Sequence, residues 1–262
     1  MNPELIKRLE QIKTKASKLQ EQTSIQTSSS IHFDYTRAKD KLFLFVNNEL
    51  DLHKKKICDI GAGYGHYLSL FGEESYGIDI SIPHLNYCKS LGLDVIQKNL
   101  IDEDLSDLPK VDYAWSSATI EHLDSAHVFL RKCNLLLNDG GTLLLESPLR
   151  PKYPKIFKRI PFLRNLYLEH GDHVSFFTPD VLEWNLKRTG FKIKRSRGFS
   201  IPIINLLKLN NPFISNIWPL SIFRDAIFIE AEKIGGWEYP ERSIRKVANN
   251  KLGYEYKEGI KD

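Results

Sequence analysis

An apolar run followed at once by three alternating glycines is the feature that most restricts what this chain can fold into. The run KICDI ends at Ile60, and Gly61, Gly63 and Gly65 come directly after it. Glycines at a turn that leaves a buried strand allow backbone conformations closed to other residues and let a ligand approach closely. The stretch therefore predicts a first strand, a ligand-binding turn and a following helix.

Segments typical of strands alternate with segments typical of helices along most of the chain. Besides KICDI, the predicted strands are SYGIDI, LDVIQK, VDYAWSS, TLLLES, FKIKRSR and DAIFIEAEK. The predicted helices cover residues 3–22, 37–50, 81–92, 125–138 and 178–190. This alternation is typical of a parallel sheet covered by helices, so the predicted fold class is α/β and Rossmann-like.

Changes of composition along the chain predict its organisation. We expect an N-terminal helix and linker over 1–30, a main domain over 31–234 and a polar tail over 235–262. Two insertions interrupt the main domain, at 149–172 and 199–223, and together they predict a cap over the ligand site.

The composition is that of a soluble globular domain, with 42% hydrophobic and 27% charged residues. A net charge of +4 is too small to predict nucleic-acid binding by itself. Cys58, Cys88 and Cys133 form an odd set inside apolar segments, which favours reduced thiols. The N-terminus is charged and lacks the apolar core of a secretory leader, so a cytoplasmic protein is expected.

Five stretches, taken together, resemble the class I S-adenosylmethionine-dependent methyltransferases, and in particular their small-molecule branch, which includes the ubiquinone-biosynthesis O-methyltransferases. In chain order they are DIGAGYG (59–65), GIDIS (77–81), DYAWSSATIEHL (112–123), NDGGTL (138–143) and HVSFFTPDVLEWNLKRTGF (173–191). The resemblance implies seven strands, the last antiparallel, and S-adenosylmethionine across the carboxyl ends of strands one, two and four.

The resemblance also implies roles for individual residues. Gly61, Ala62 and Gly63 would back the methionine part of the cofactor, after the acidic residue Asp59 that opens the motif. Asp79 would hold the ribose, because one carboxylate accepts from two hydroxyls.

The remaining implied contacts surround the adenine and the ends of the methionine. Ile80 would pack on the adenine, and Asn99-Leu100 would lie beside its amino group. Ser116-Ser117 would lie under the sulfonium. Tyr35 and Arg37, whose guanidinium is forked, would reach the cofactor's carboxylate.

His122 is the candidate catalytic residue. If the acceptor is a hydroxyl, an imidazole that titrates near neutral pH can take its proton. Local packing of Glu121-His122 is the alternative. Metal-binding relatives carry an acidic residue three positions before this Glu-His pair; here that position is Ala118, so no metal is expected.

The insertion 149–172 mixes basic and aromatic residues. This mixture predicts a lid over a small-molecule, sugar or lipid-linked acceptor, or a contact with a membrane surface. Pro161 interrupts the helix that a simple amphipathic anchor would need. Nucleic acid is not the expected partner, because the basic residues concentrate in this one segment, and the oligomeric state stays open.

Two other functions remain open at this stage. An NAD(P)-dependent oxidoreductase would need a glycine at the position of His66, so the glycine spacing argues against it. A catalytically silent module that binds the cofactor without turnover would share all of these motifs, and only an acceptor would exclude it.

Overall fold

The computed structural model of the chain describes residues 3–22, 30–149, 173–201, 212–213, 216 and 224–236. Its helices are α1 (Pro3–Gln22), α2 (Ser30–Leu50), α3 (Ile82–Ser90), α4 (Ala126–Leu136) and α5 (Pro179–Arg188). Its strands are β1 (Ile57–Ile60), β2 (Tyr76–Asp79), β3 (Asp94–Gln97), β4 (Val111–Ser117), β5 (Leu137–Pro148), β6 (Phe191–Ser200) and β7 (Ala226–Lys233).

The strands form one sheet in the order β3-β2-β1-β4-β5-β7-β6. Strands β1 to β5 run parallel, and β7 is antiparallel to both of its neighbours. The predicted seven-stranded α/β sheet with an antiparallel last strand is therefore confirmed. Because β1, β2 and β4 run parallel, their carboxyl ends meet at one edge of the sheet, where open sheets bind ligands.

Helices cover both faces of the sheet, and each face has its own apolar core. On one face α4 and α5 contribute Phe129, Leu130, Leu136, Leu182 and Leu186. On the other face α1, α2 and α3 contribute Leu9, Leu42, Phe43, Val46, Leu85 and Cys88. All three cysteines are buried free thiols, as the sequence predicted.

The helix predicted directly after the glycine loop does not form. A single 3₁₀ turn, Leu68–Leu70, takes its place. Gly72 ends the segment after a few residues, and its N–H donates to the Lys55 carbonyl at 3.0 Å, which returns the chain toward β2. The stretch is too short for several helical turns. A single turn does not recover the free-energy cost of nucleating an α-helix.

Two strand boundaries also differ from the prediction. Strand β5 begins at Leu137, which pairs with Val111; Thr142 then pairs with Tyr113, so residues 138–141 form an irregularity inside the strand. Strand β6 runs to Ser200 because it pairs with β7 that far, so the predicted insertion 199–223 begins with strand residues.

The other predicted segments lie mostly outside the described residues. These are the linker before α2, positions 150–172 of the first insertion, most of the second insertion and the tail beyond 236. Among the helices that the structure describes, none has the length and apolar character required to cross a membrane.

Candidate active site

The glycine loop is fixed to the strands on both sides of it. The N–H groups of Gly61 and Ala62 donate to the Ile78 carbonyl of β2, at 2.8 and 3.0 Å. Gly61 has a φ of +77°, and a Cβ there would overlap the side chain of Thr119. Thr119 Oγ1 lies 3.2 Å from the Ile60 carbonyl, so the turn after β4 packs directly on the loop.

Gly63 faces the opposite way. It has a φ of +54°, and a Cβ built on it would meet no atom within 4 Å. The loop therefore uses one glycine for packing inside the protein and leaves open space beside another. Open space next to exposed backbone at the carboxyl edge of a parallel sheet is where a ligand can lie against the chain.

Asp79, at the end of β2, is held by three donors. The N–H of Gly63 donates to Oδ2 at 2.7 Å, and the N–H of Ser81 donates to Oδ1 at 2.8 Å. The His84 ring lies 3.3 Å from Oδ1. Burial raises the pKa of Asp79, but the hydrogen bonds from His84, Ser81 and Gly63 outweigh it and leave the pKa below 3.8. The carboxylate is thus ionised and pre-oriented at neutral pH.

Asp59 lies beneath the loop rather than in open space. Its side chain is buried, and burial together with the nearby charge of Asp79 raises its pKa to about 8, while the Leu68 backbone N–H lowers it. This placement favours Asp59 as a residue that positions the loop. Whether it also contacts a ligand stays a prediction.

Apolar and aromatic side chains border the end of β2. Ile80 is 61% exposed and Ile82 is 58% exposed, which is unusual for isoleucines beside a core. The Tyr64 ring lies 4.4 Å from the His84 ring and 5.5 Å from the Tyr87 ring, centroid to centroid. A flat apolar group such as an adenine would cover the exposed isoleucine surface next to Asp79.

The end of β4 provides two serines with different surroundings. Ser117 Oγ donates to Glu146 Oε2 at 2.6 Å across β4 and β5. Ser116 is fully buried, and its hydroxyl makes no hydrogen bond with any described residue. A buried hydroxyl without a partner costs free energy, so a polar ligand group at this position would be stabilising.

Asn99 and Leu100 have structural surroundings of their own. Asn99 Oδ1 accepts from the N–H groups of Ile101 and Asp102, at 2.9 and 3.3 Å, and its amide donates to the Asp102 carboxylate at 2.7 Å. Leu100 is 7% exposed and belongs to the core. A bond from an adenine amino group to Asn99 would compete with this turn, so that contact stays a prediction.

Helices α1 and α2 meet beside the glycine loop. Tyr67 donates to Asp40 of α2 at 3.2 Å, and Asp40 also pairs with Lys13 of α1. Arg37 precedes Asp40 by about one turn of α2, which places it on the same side of the helix. The side chain of Tyr35, its expected companion, lies outside the described residues.

His122 lies in a cluster that joins two distant segments. Its Nε2 is 3.9 Å from Glu121 Oε1, and its ring centroid is 5.0 Å from that of His173. The carbonyl of Glu121 accepts the N–H groups of Val174 and Ser175, both at 2.9 Å, which fixes the second segment against the first. The Glu121 side chain is buried, whereas His122 is partly exposed.

Sequence reasoning missed several residues that build this site. Thr119 occupies the space that a side chain at position 61 would need. The His84 ring contacts the Asp79 carboxylate, and Glu146 accepts a hydrogen bond from Ser117. None of them belongs to a recognisable spacing. The one available signal was Glu146 itself, a charged residue inside the otherwise apolar predicted strand TLLLES.

Four features of this site fit a nucleoside cofactor with a charged methionine part. They are the open space beside Gly63, the ionised Asp79, the exposed Ile80, and the Ser116 hydroxyl, which has no hydrogen-bond partner among the described residues. The strand order and this site define a Rossmann-like methyltransferase.

The comparisons identify the family. A family model described as "Methyltransferase domain" matches residues 31–195, so the chain belongs to the methyltransferase-domain family. It is an enzyme family, and S-adenosylmethionine is the expected cofactor. No curated protein matches the sequence.

Solved structures share the fold. The chain is similar to a S-adenosylmethionine-dependent methyltransferase from Archaeoglobus fulgidus, with 22% identity, a TM-score of 0.54 and coverage of 74% of this chain and 94% of that one. It is also similar to a S-adenosylmethionine-dependent methyltransferase from Thermotoga maritima, with 20% identity, a TM-score of 0.52 and coverage of 74% and 90%.

Proposed function

We propose that this methyltransferase moves a methyl group from S-adenosylmethionine to a hydroxyl oxygen of a small-molecule or glycan acceptor, as the small-molecule branch of the family does. The observation that carries the proposal is the closeness of two groups of residues. Thr119 packs on Gly61 of the cofactor loop, and the turn Ile120–His122 follows it immediately. His122 is only three positions from Thr119, which supports a place for its imidazole on the acceptor side of the cofactor loop.

The cofactor supplies an activated methyl group, so the protein has to bind, orient and exclude water. The loop Gly61–Gly63 and Asp79, which are fixed to each other and to β2 by hydrogen bonds, would hold the donor at the carboxyl edge of the sheet. His122 would accept the proton of the acceptor's hydroxyl, so that the oxygen could take the methyl group that the cofactor supplies.

The cap stays part of the proposal. A lid over the acceptor, or a membrane contact through 149–172, accounts for the mixture of basic and aromatic residues there, and these positions lie almost wholly outside the described residues. A sugar or lipid-linked acceptor fits such a lid, and nucleic acid ranks behind because the basic residues are confined to one segment.

The first test is calorimetric titration of S-adenosylmethionine and of NADH into the protein and into Asp79→Ala. We expect the protein to bind S-adenosylmethionine with micromolar affinity and not to bind NADH. The variant should bind S-adenosylmethionine about 100-fold more weakly, because it lacks the carboxylate that would accept two hydrogen bonds from the ribose. The matched control is Asp94→Ala, which makes the same change where β3 begins, at the opposite edge of the sheet. Binding of NADH instead would overturn the proposal.

The second test identifies the acceptor. Production of S-adenosylhomocysteine is measured with hydroxyl-bearing phenols, catechols and sugars, and with amines as comparison. Transfer to hydroxyl compounds only is expected. Transfer to amines only would contradict the oxygen assignment, and cofactor binding without transfer to either class would favour the silent module.

A further inference from the structure

The cluster of Glu121, His122 and His173 has a chemistry beyond a single base. One carboxylate oxygen and one nitrogen from each ring lie within 4.8 Å of one another. Two imidazoles and one carboxylate from three residues form the protein ligand set of open catalytic zinc sites, which keep a further position for water or substrate. We propose that these three residues bind a divalent transition-metal ion, zinc in the first instance, on the acceptor side of the methyl-transfer site.

The geometry is close to that of a coordinated ion. Ligand atoms of tetrahedral zinc lie about 3.4 Å apart. Glu121 Oε1 and His122 Nε2 are 3.9 Å apart, so a small change of side-chain rotamer completes the approach. The ring centroids of His122 and His173 are 5.0 Å apart, so both rings lie close enough for one nitrogen of each to approach a shared ion. His122 and His173 are both partly exposed, which leaves them room to turn toward a shared ion.

The backbone holds the ligands together without the ion. The Glu121 carbonyl accepts two N–H groups from the segment that follows His173. Ser175 Oγ adds a bond to the Leu123 carbonyl at 3.1 Å. A site whose ligands are pre-positioned by such bonds loses less conformational entropy on binding the ion. Glu121 is the buried member of the three, so its carboxylate lies at the protein side of the cluster.

The absence of an acidic residue at Ala118 led the sequence analysis to expect no metal. The tertiary structure supplies a third ligand from elsewhere, because His173 reaches the Glu-His pair from the segment before α5. Nitrogen ligands favour zinc over magnesium, which prefers oxygen ligands and retains its water.

A metal ion at this position would favour acceptors that carry a hydroxyl group. This inference rests on the proposed function. An acceptor hydroxyl bound to the ion releases its proton to solvent more readily. The resulting oxyanion forms the new bond to the methyl carbon while the sulfur–carbon bond breaks and sulfur keeps that electron pair. His122 then acts as a ligand, and the ion replaces it as the group that makes the hydroxyl acidic.

The test is direct binding of zinc to the full chain after treatment with a chelator. Calorimetry should give one equivalent per chain and no binding of magnesium. Glu121→Gln and His173→Ala should each weaken zinc binding by roughly 100-fold or more, because each removes a ligand. His173→Asp keeps a ligand atom and should bind within about tenfold of the wild type.

Controls separate this inference from loss of fold and from the proposed function. His53→Ala changes a histidine before β1, at the opposite edge of the sheet, and should leave zinc binding unchanged. Titration of S-adenosylmethionine reports whether each variant is folded. A protein that binds S-adenosylmethionine but no zinc, or that binds zinc equally in all variants, would overturn the metal site alone. Zinc binding without S-adenosylmethionine binding would overturn the proposed function alone.

Discussion

The glycine loop with Asp79 and the cluster of Glu121, His122 and His173 lie on the same edge of the sheet but are assembled over different distances in the chain. Gly63 and Asp79, which share a hydrogen bond, are 16 positions apart. Ser175 and Leu123, which join the two segments that carry this cluster, are 52 positions apart. Short-range assembly leaves a pattern in the sequence, whereas the long-range cluster depends on how the strands and their connections are arranged.

If the two regions have separate tasks, a change in one should leave the task of the other intact. The largest effect is expected for His122→Ala. Loss of proton removal, or of a metal ligand, should lower kcat by about 100- to 1000-fold with the best acceptor found. The affinity for S-adenosylmethionine should stay within about threefold of the wild type, as measured by calorimetry. A parallel loss of cofactor affinity would show that the two regions are not separable.

Gly61→Ala should have the next largest effect, on the cofactor side. The new Cβ overlaps Thr119, and the left-handed backbone adds strain, so about 3 kcal/mol of unfolding free energy should be lost. Gly140→Ala is the matched control, because it has a similar φ of +78° and no atom within 4 Å. Urea denaturation should show a loss of about 1 kcal/mol there. Equal losses would mean that the Thr119 contact is unimportant.

Asp59→Asn should change how stability depends on pH. The folded-state pKa of Asp59 is raised to about 8 from an ordinary 3.8. Between these two values the unfolded chain releases the proton while the folded chain keeps it, so this group's contribution to stability falls as the pH rises from about 4 to 8. The variant should lose this dependence, so its free energy of unfolding relative to the wild type should rise as the pH rises across the window. Denaturation curves that stay parallel at all pH values would contradict the shift.

The smallest effect is expected for His84→Ala. Asp79 keeps its two backbone donors, so the affinity for S-adenosylmethionine should fall by only about threefold at pH 7. The loss should grow as the pH is lowered toward 4, because His84 helps to keep the pKa of Asp79 low. His53→Ala should show neither effect, and a loss independent of pH would argue against this role.

The sequence predicted the sheet and the position of the glycine loop well because both depend on local patterns. Strands such as Ile57–Ile60 are continuous apolar runs, since both of their faces are covered. Local patterns failed where pairing or exposure was decided at long range. Trp184 has a large apolar side chain of the kind usually buried, yet it is 58% exposed, with the Arg188 guanidinium over its ring. The length of β6 was underestimated because its pairing with β7 cannot be read from β6 itself.

The sequence by itself determined the α/β class, the strand-loop-strand unit from Ile57 to Asp79 and the presence of a Glu-His pair after the fourth strand. Each of these follows from residue type and spacing over a few positions. Only the tertiary structure placed Thr119 against Gly61 and His173 beside His122. Those contacts join segments that become neighbours once the parallel strands are ordered, and no local spacing encodes that order.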